Sequence, residues 1–512
     1  MVQWAEIMTI SKAIRVLLDT DVLQQQNTDH VTSENLREIL KIIGKIKAEI
    51  IIHPVSFKSE EVLGGRDIKG YLDREIKKYT IFDSSKDPNK DPEYLALAKN
   101  VSENNDDINI ILYPVYKDLV DFLITENISV HKKASRLGID DRVLLIEEAL
   151  RAFIGYLPEY ELFAPLPLKN KLVKDLDLGD PIFDTLKRDY PEFESWFEKI
   201  SDEGRDSWVY YRNDGKMGAL LIYKVEDEPI DSNPLLEEKK RLKISTLKVT
   251  HVGYKIGELF IKLVVDICVK NNISEVYLTH FTEEEDRLVE LITEYGFERV
   301  GVNSRGEEIF IKKLIADRDE ARSLPPIEIS KRFYPSFYDG EGVKKFVVPI
   351  RPEYHSKLFT DFPERQTTLL EHMGEFIIEG NTIKKAYITH SRIKKMRPGD
   401  IILFYQSEDL QAITSIGVVE SVHTGIEDGS QIVKLAGKRT VFSRDKIDEW
   451  VKRPVSVFLF RHHFHLKRPL PIDELTAGQV LTAAPQSVTE ITREDYKKLK
   501  EMGGFDGRFT ID

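Results

Sequence analysis

Cysteine is almost absent: the 512 residues contain one, Cys268. A lone thiol excludes an internal disulfide and any zinc site built on cysteine pairs. Long hydrophobic runs are missing too, and nowhere does an apolar stretch approach the ~20 residues that a membrane helix needs. The opening, MVQWAEIMTISKAIRVLLD, has no basic region leading into an apolar core and a small-residue cleavage site, so no secretory signal is expected. Cationic excess is lacking as well. With 74 Lys and Arg against 87 Asp and Glu the net charge is −13, which argues against a protein that coats nucleic acid through its overall field. A local basic groove remains compatible with that charge, because exposed charges are screened beyond about 8–10 Å at cellular salt. The expectation is a soluble cytoplasmic protein with no membrane partner.

A chain of 512 residues is too long for one core and predicts about three domains. The expected fold class is multidomain α/β and α+β, divided at 1–157, 165–318 and 340–505. Prolines and broken periodicity mark the joints near 156–180 and between Ala316 and Lys345.

The middle region turns on residues 242–281, which read strand, glycine-bearing turn, helix, strand. The turn holds Gly253 and Gly257. After it, Leu259, Leu263, Val264 and Ile267 recur at helical spacing, with Glu258, Lys262, Asp266 and Lys270 on the opposite face. A strand feeding a helix through glycines gathers unpaired backbone N–H groups and the positive end of a helix dipole, a main-chain site suited to pyrophosphate. Downstream, Thr282 and Glu285 have capping-box spacing, and Leu288, Leu291, Ile292 and Tyr295 form a stripe that ends at Gly296-Phe297. This strand–helix–strand–helix–GF order resembles the acetyl-CoA-binding core of the GNAT acetyltransferase superfamily. The resemblance implies a mixed sheet whose strand residues Leu247 and Val249 offer backbone hydrogen bonds to the pantetheine arm. It places Gly253, Tyr254, Lys255, Ile256, Gly257 and Glu258 around the pyrophosphate. In the family's usual glycine pattern only Gly257 keeps its place, with Lys255 where the first glycine stands, and Ile292 occupies a position often held by a tyrosine. An acceptor amine must lose a proton before attacking a thioester, and Glu226, Glu228 and His280 are candidate bases near strand ends. The stretch VEDEPIDSNPLLEEKK reads as an acidic loop.

The first region alternates strand and helix from IRVLLDTDVL onward, which predicts a parallel sheet wrapped by helices. Ligands in such sheets gather beyond the carboxyl ends of the strands. Asp19, Glu60 or Glu61, and Glu126 follow predicted strands, and Asp106-Asp107 precede a helix. Converging carboxylates need a hard cation such as Mg²⁺ or Mn²⁺, which can activate water for phosphodiester cleavage. The LLDTDVL opening, the distant acidic pair and LITENISVHKKA together resemble a PIN domain, a family of metal-dependent ribonucleases, over roughly residues 10–155. The resemblance carries the metal-site roles onto Asp19, Glu60 or Glu61, Asp107 (or Asp106), Glu126 and Asn127. Asn127 stands where the family has an aspartate, and an amide coordinates a cation without adding charge.

The last region consists of short strands and turns, with a small mixed barrel as the expectation. IRPEYHSKLF, RPGDIILFYQ, IGVVESV, VFLFRHHFHLKRPLPIDEL and PQSVTEI, in that order, resemble the PUA-like group near the ASCH and EVE domains, folds that read RNA or modified bases in a cleft. Arg392, Lys394 and Lys395 precede the PGD turn. Strand alternation would set Arg461, His463 and His465 on one face, with Phe460 and Phe464 nearby, the cations and rings that single-strand recognition uses. Zinc is not expected from these histidines, because adjacent strand residues converge poorly and no cysteine completes a set.

Together the three resemblances imply an acetyl-CoA-dependent N-acetyltransferase acting on RNA or a translation-associated amine, joined to a PIN-like ribonuclease and an RNA reader. A toxin or defence effector with an antitoxin partner fits such a fusion by analogy. Two alternatives stand beside it: a metal-dependent ribonuclease regulated by CoA, and a non-catalytic RNA-binding adaptor.

Overall fold

The computed structural model describes residues 14–19, 21–22, 30–57, 79–82, 88–99, 106–154, 167–212, 215–250, 256–283, 286–362, 375–377, 382–391, 393, 395–436, 439, 442 and 444–512. The chain divides into two compact units. One comprises Met1–Phe163 with Gly425–Val455, the other Ala164–Thr424 with Ser456–Asp512. Segment 425–455, expected within the last domain, therefore belongs with the first. Among the described residues no helix is long and apolar enough to cross a membrane.

The first unit is built on five short parallel strands, β1 (Arg15–Leu18), β2 (Glu49–Ile52), β3 (Thr80–Ile81), β4 (Phe122–Ile124) and β5 (Val143–Leu144), in the order β3-β2-β1-β4-β5. The central strands are almost wholly apolar and buried, as a sheet covered on both faces requires. Helices α1 (His30–Lys45), α2 (Pro92–Lys99), α3 (Asp106–Tyr116), α4 (Ile128–Arg136) and α5 (Ile146–Ile154) supply the cover. Leu17, Ile51, Ile111, Leu112, Leu123 and Val130 share one core. The late segment adds two helices, Gly429–Ala436 and Arg444–Trp450. It is tied in by charge: Lys434 and Arg142 both pair with Asp118, and Arg439 reaches Asp141 at 3.0 Å.

The second unit opens with a mixed sheet of β6 (Pro167–Leu172), β7 (Asp206–Tyr211), β8 (Met217–Ile230), β9 (Leu236–Val249), β10 (Glu275–His280), β11 (Phe297–Val302) and β12 (Glu308–Lys313). Helices α6 (Asp184–Asp189) and α7 (Phe193–Asp202) lie between β6 and β7, α8 (Ile256–Lys270) between β9 and β10, and α9 (Arg287–Glu294) between β10 and β11. The strand order is β11-β12-β10-β9-β8-β7-β6, and only β9 and β10 run parallel. The expected strand–helix–strand–helix–GF succession is thus present. Gly296 of the GF pair has φ +84°, and a Cβ there would lie 2.1 Å from the Arg332 carbonyl oxygen, so only glycine fits.

Two local readings change. The acidic stretch after Val225 is not a loop but the arms of the long β8–β9 hairpin. Glu226, Asp227 and Glu228 stand opposite Arg241, Lys240 and Lys239 in the register, a complementarity that composition alone hides, while the ion pairs run from Glu226 to Lys224 and from Lys239 and Arg241 to Glu275 of β10. The cap of α9 is Asp286, whose side chain accepts from Leu288 N and Val289 N, in place of the expected Thr282. Asn213 and Asp214, which with Gly215 are expected to form the turn between two hairpin strands, lie outside the described residues.

Beyond β12 come β13 (Phe337–Tyr338), β14 (Lys345–Ile350), β15 (Glu375–Ile377), β16 (Lys384–Thr389), β17 (Ile401–Gln406), β18 (Ala412–Ile426), β19 (Val455–Pro471), β20 (Thr489–Ile491) and β21 (Thr510–Ile511). Six of them form a second mixed sheet, β16-β19-β18-β17-β14-β20, while β15 extends the first sheet at β6. Helix α8 is buried around nearly its whole girth: Ile256 through Val265 are all buried. Its apolar side chains share a core with the first sheet and with Tyr334, Ile383 and Phe509. A helix buried on every side needs cover on every side, and here both halves of the unit provide it; Glu258 and Lys262, on the face expected to be polar and open, are buried as well and are paired. Glu258 is part of that junction, since its Oε1 accepts from Lys384 N at 2.8 Å.

Candidate functional site

The parallel pair β9–β10 holds together at only two positions, Leu242 with Val276 and Lys243 with Tyr277. Beyond them β9 stays bonded to β8 as far as Val249, and β10 stays bonded to β12 as far as His280. The two strands therefore part. Main-chain groups of β9 from Ile244 to Val249 that face β10 have no partner in it. A bulge provides the cause: Ile222 pairs with Thr246 but Tyr223 with Ile244, so Ser245 is an extra residue that bends and twists β9. The opening leads toward the N-terminus of α8. Leu247 and Val249 lie on this unpaired stretch of β9.

Other expected cofactor residues fare differently. Gly253, Tyr254 and Lys255 lie outside the described residues. Ile256 is buried in the core. Gly257 does not face the turn; a Cβ there would meet Leu291 Cδ2 at 2.5 Å, so its bareness serves the packing of α8 on α9. Glu258 is spent on Lys384 N and buried, a correction to its cofactor role. Tyr295 is 2% exposed, beneath the Arg461 guanidinium, and Ile292 is fully buried. Cys268 is buried, with its thiol pushed up to about 12 by desolvation, and takes no part in chemistry.

Of the candidate bases, Glu226 is already engaged. Its carboxylate accepts from Tyr277 Oη and, at 2.5 Å, from Lys224 Nζ. Burial works to raise its pKa, but these two bonds and the Lys243 charge outweigh it and hold the carboxyl below its ordinary value. Glu228 lies exposed on β8. His280, at the end of β10, places Nε2 2.5 Å from Asp286 Oδ2. A carboxylate only accepts, so Nε2 carries a proton; in a neutral imidazole the lone pair is then on Nδ1, the orientation a general base needs. Asp286 thus both caps α9 and orients His280. Sequence reasoning missed it because the two lie on different elements.

In the first unit Asp19 follows β1, and Asp21 lies two residues on. The Thr125 hydroxyl reaches both, 2.9 Å from Asp19 Oδ2 and 3.1 Å from Asp21 Oδ2. Asp21 also accepts from Val22 N and Glu126 N. Burial, then the neighbouring Asp19 charge, raises the Asp21 carboxyl to about 7. In the sequence Asp21 stands with Asp19 where the apolar run ends, but the resemblance carries the metal-site roles onto Asp19 alone of the two. Glu126 instead accepts from Ile146 N with Oε1, at the start of α5. Asn127 is the N-cap of α4, its Oδ1 receiving Ser129 N. Asp107 is exposed in the first turn of α3. Glu60 and Glu61 lie outside the described residues. Among the described residues, then, Asp19 and Asp21 come together, whereas the Glu126 and Asn127 side chains are turned to helix starts.

The basic residues expected to contact RNA mostly face inward. Arg461 is 1% exposed and donates from Nε to Glu420 Oε1 at 2.7 Å. The buried His463 donates Nδ1–H to Pro335 O and receives the Ser330 hydroxyl at Nε2. Desolvation pushes its imidazole down to about 3, so it is neutral at physiological pH. His465 bonds Ser415 Oγ and Asp361 Oδ1. These are corrections: the partners come from distant segments, and they turn into the core a face that alternation assigned to solvent. Lys395 is exposed, and Arg392 and Lys394 lie outside the described residues.

Residues 385–502 match the EVE domain family. That match lies within the region where a PUA-like domain is expected. No curated protein matches the chain. Among solved structures, ASCH from Zymomonas mobilis is similar at 18% identity and a TM-score of 0.25, over 31% of this chain and 95% of that one. The PaiA N-acetyltransferase of Thermoplasma acidophilum, solved with coenzyme A, is similar at 15% identity and a TM-score of 0.22, over 28% and 98%. A GNAT-family acetyltransferase of Listeria monocytogenes follows at 16% and 0.19, over 24% and 70%.

Proposed function

We propose that the protein is an acetyl-CoA-dependent N-acetyltransferase directed to RNA or to an amine of the translation apparatus, with the EVE domain presenting the substrate. The parting of β9 from β10 beside the N-terminus of α8 carries this reading. An extended pantetheine arm completes the hydrogen bonding of β9 as an added strand would, and the helix N-terminus favours the diphosphate. The amine then attacks the thioester carbonyl, His280, oriented by Asp286, takes its proton, and the C–S bond breaks to release CoA as its thiolate, which is protonated from solvent. The test is calorimetric titration of the full chain with acetyl-CoA, then incubation with radiolabelled acetyl-CoA and total RNA or ribosomes. Submillimolar binding and a labelled acceptor are expected; absence of binding removes the cofactor and with it the reading.

A second reading makes the chain a PIN-like ribonuclease regulated by acetyl-CoA, with Mg²⁺ or Mn²⁺ held at Asp19 and an antitoxin-type partner. The close Asp19–Asp21 pair at the end of the central parallel strand favours it, since two carboxylates on one hydroxyl repel unless a proton or cation joins them. RNA fragments that vanish with EDTA and with Asp19→Asn, in the absence of acetyl transfer, would select this reading. A chain that does neither is an RNA-binding adaptor.

A further inference from the structure

The second unit contains a group of side chains that neither reading uses. Asp361, His462 and His465 each offer a ligand atom, and those atoms lie within 4.8 Å of one another. Strict strand alternation would put His462 and His465 on opposite faces of β19, yet their ring centroids are 4.5 Å apart. Asp361 comes from the segment after the helix Pro352–Leu358 and brings Oδ1 to 3.0 Å from His465 Nε2.

His462 is the decisive residue. It is 1% exposed, and neither of its ring nitrogens has a hydrogen-bond partner. One of the two must carry a proton and the other a lone pair, so a buried polar group is left unmet at both ends. Such a histidine, beside a second imidazole and a carboxylate, is explained by an ion. We propose that Asp361, His462 and His465 bind a divalent first-row transition ion of the Zn²⁺ or Fe²⁺ type.

The donor set selects the ion. Two imidazoles and one carboxylate suit zinc or ferrous iron, whereas Mg²⁺ and Ca²⁺ prefer all-oxygen sites. With metal–ligand bonds of about 2.0–2.2 Å, ligands around a tetrahedral ion stand roughly 3.3–3.6 Å apart, so small side-chain rotations close the set. Three protein ligands leave a position for water or a substrate atom. The surroundings supply what metal sites require. Ser415 Oγ lies 2.8 Å from His465 Nδ1. On binding, the His465 proton moves from Nε2, which becomes the ligand, to Nδ1, which donates to Ser415; no net proton is released. Phe359 and Phe362 wall the rings at 5.0 to 5.6 Å. Lys262 of α8 occupies the other Asp361 oxygen, Oδ2, at 2.5 Å, so the carboxylate bridges the lysine and the ion through different oxygens. The Lys262 charge opposes the ion through the carboxylate they share.

Cobalt(II) is the probe, because tetrahedral nitrogen and oxygen coordination gives strong visible absorption that octahedral carboxylate sites do not. The full chain, stripped by chelator and dialysed, should take up about one equivalent of Co²⁺ with tetrahedral bands, and Zn²⁺ should displace it. His462→Gln should weaken uptake at least ten-fold. Ser415→Ala, which leaves the ligands in place, should weaken it by roughly ten- to hundred-fold and guards against a folding defect in the first variant. Absence of tetrahedral bands in the wild type overturns the proposal. So does uptake by Ser415→Ala and a folded His462→Gln that equals the wild type, or displacement of Co²⁺ by an equal concentration of Mg²⁺.

Discussion

At the scale of single residues, charge state follows neighbours that the sequence does not place side by side. Asp21 has a carboxyl raised to about 7 by burial and by Asp19. A folded-state pKa above the unfolded value means that the native state binds more protons between about pH 4 and 7, so stability falls as pH rises through that window and then levels off. Asp21→Asn keeps the neutral state at every pH. Its advantage over the wild type should be small near pH 4, grow to roughly 2–4 kcal/mol by pH 7 and stay constant above. Chemical denaturation of both proteins across pH 4–9, followed on the transition of the first unit, measures this. A difference independent of pH would mean that Asp21 titrates normally. The same dependence on distant neighbours explains why the inward turn of Arg461 and His463 was illegible. Their composition suits RNA, but Glu420, Ser330 and the Pro335 carbonyl lie 41, 133 and 128 positions away.

At the scale of elements, periodicity was a good guide wherever one face decides burial. The apolar runs at Arg15–Leu18, Glu49–Ile52 and Phe122–Ile124 are the strands they promise, and Ile256–Lys270 is the promised helix. Two things escaped it. A stretch that reads as an acidic loop is strand because it meets a basic strand in register, and pairing is a property of two segments together. The bulge at Ser245, which parts β9 from β10, leaves no trace in residue type. Gly257 shows how an element-level role can pass for a site-level one. If its bareness serves the packing of α8 on α9, Gly257→Ala should destabilise the unit by about 1 kcal/mol through overpacking against the end of the Leu291 side chain. Leu291→Ala, which itself costs stability by leaving a void, should absorb most of that penalty when the two are combined. A double-mutant cycle by denaturant melts reads the coupling, with about 1 kcal/mol expected for groups in direct contact. Strict additivity would return Gly257 to the turn.

At the scale of the whole chain, three regions were legible as three kinds of pattern, but not how they are divided. Two of them share one core through α8, because a helix buried on all sides, its Glu258 and Lys262 included, joins whatever covers it. The remaining surprise is segment 425–455. Ser415 lies against His465 while Glu420 lies against Arg461, so β18 and β19 run in opposite directions and the segment is an insertion at their joined ends. Its buried Ile432, Val433, Phe442 and Ile447 and its pairs with Asp118 and Asp141 belong to the first unit. Replacing residues 427–454 by a short Gly-Ser link should therefore act on the distant N-terminal residues rather than on the sheet that flanks the cut. Burying four such side chains contributes roughly 6–12 kcal/mol, comparable to the whole stability of a small domain. The first unit's calorimetric transition should disappear, while the second unit's transition stays within a few degrees and its acetyl-CoA affinity within about two-fold. The opposite result, loss of the second transition with the first intact, would assign the insertion to the EVE-matching sheet that surrounds it in sequence.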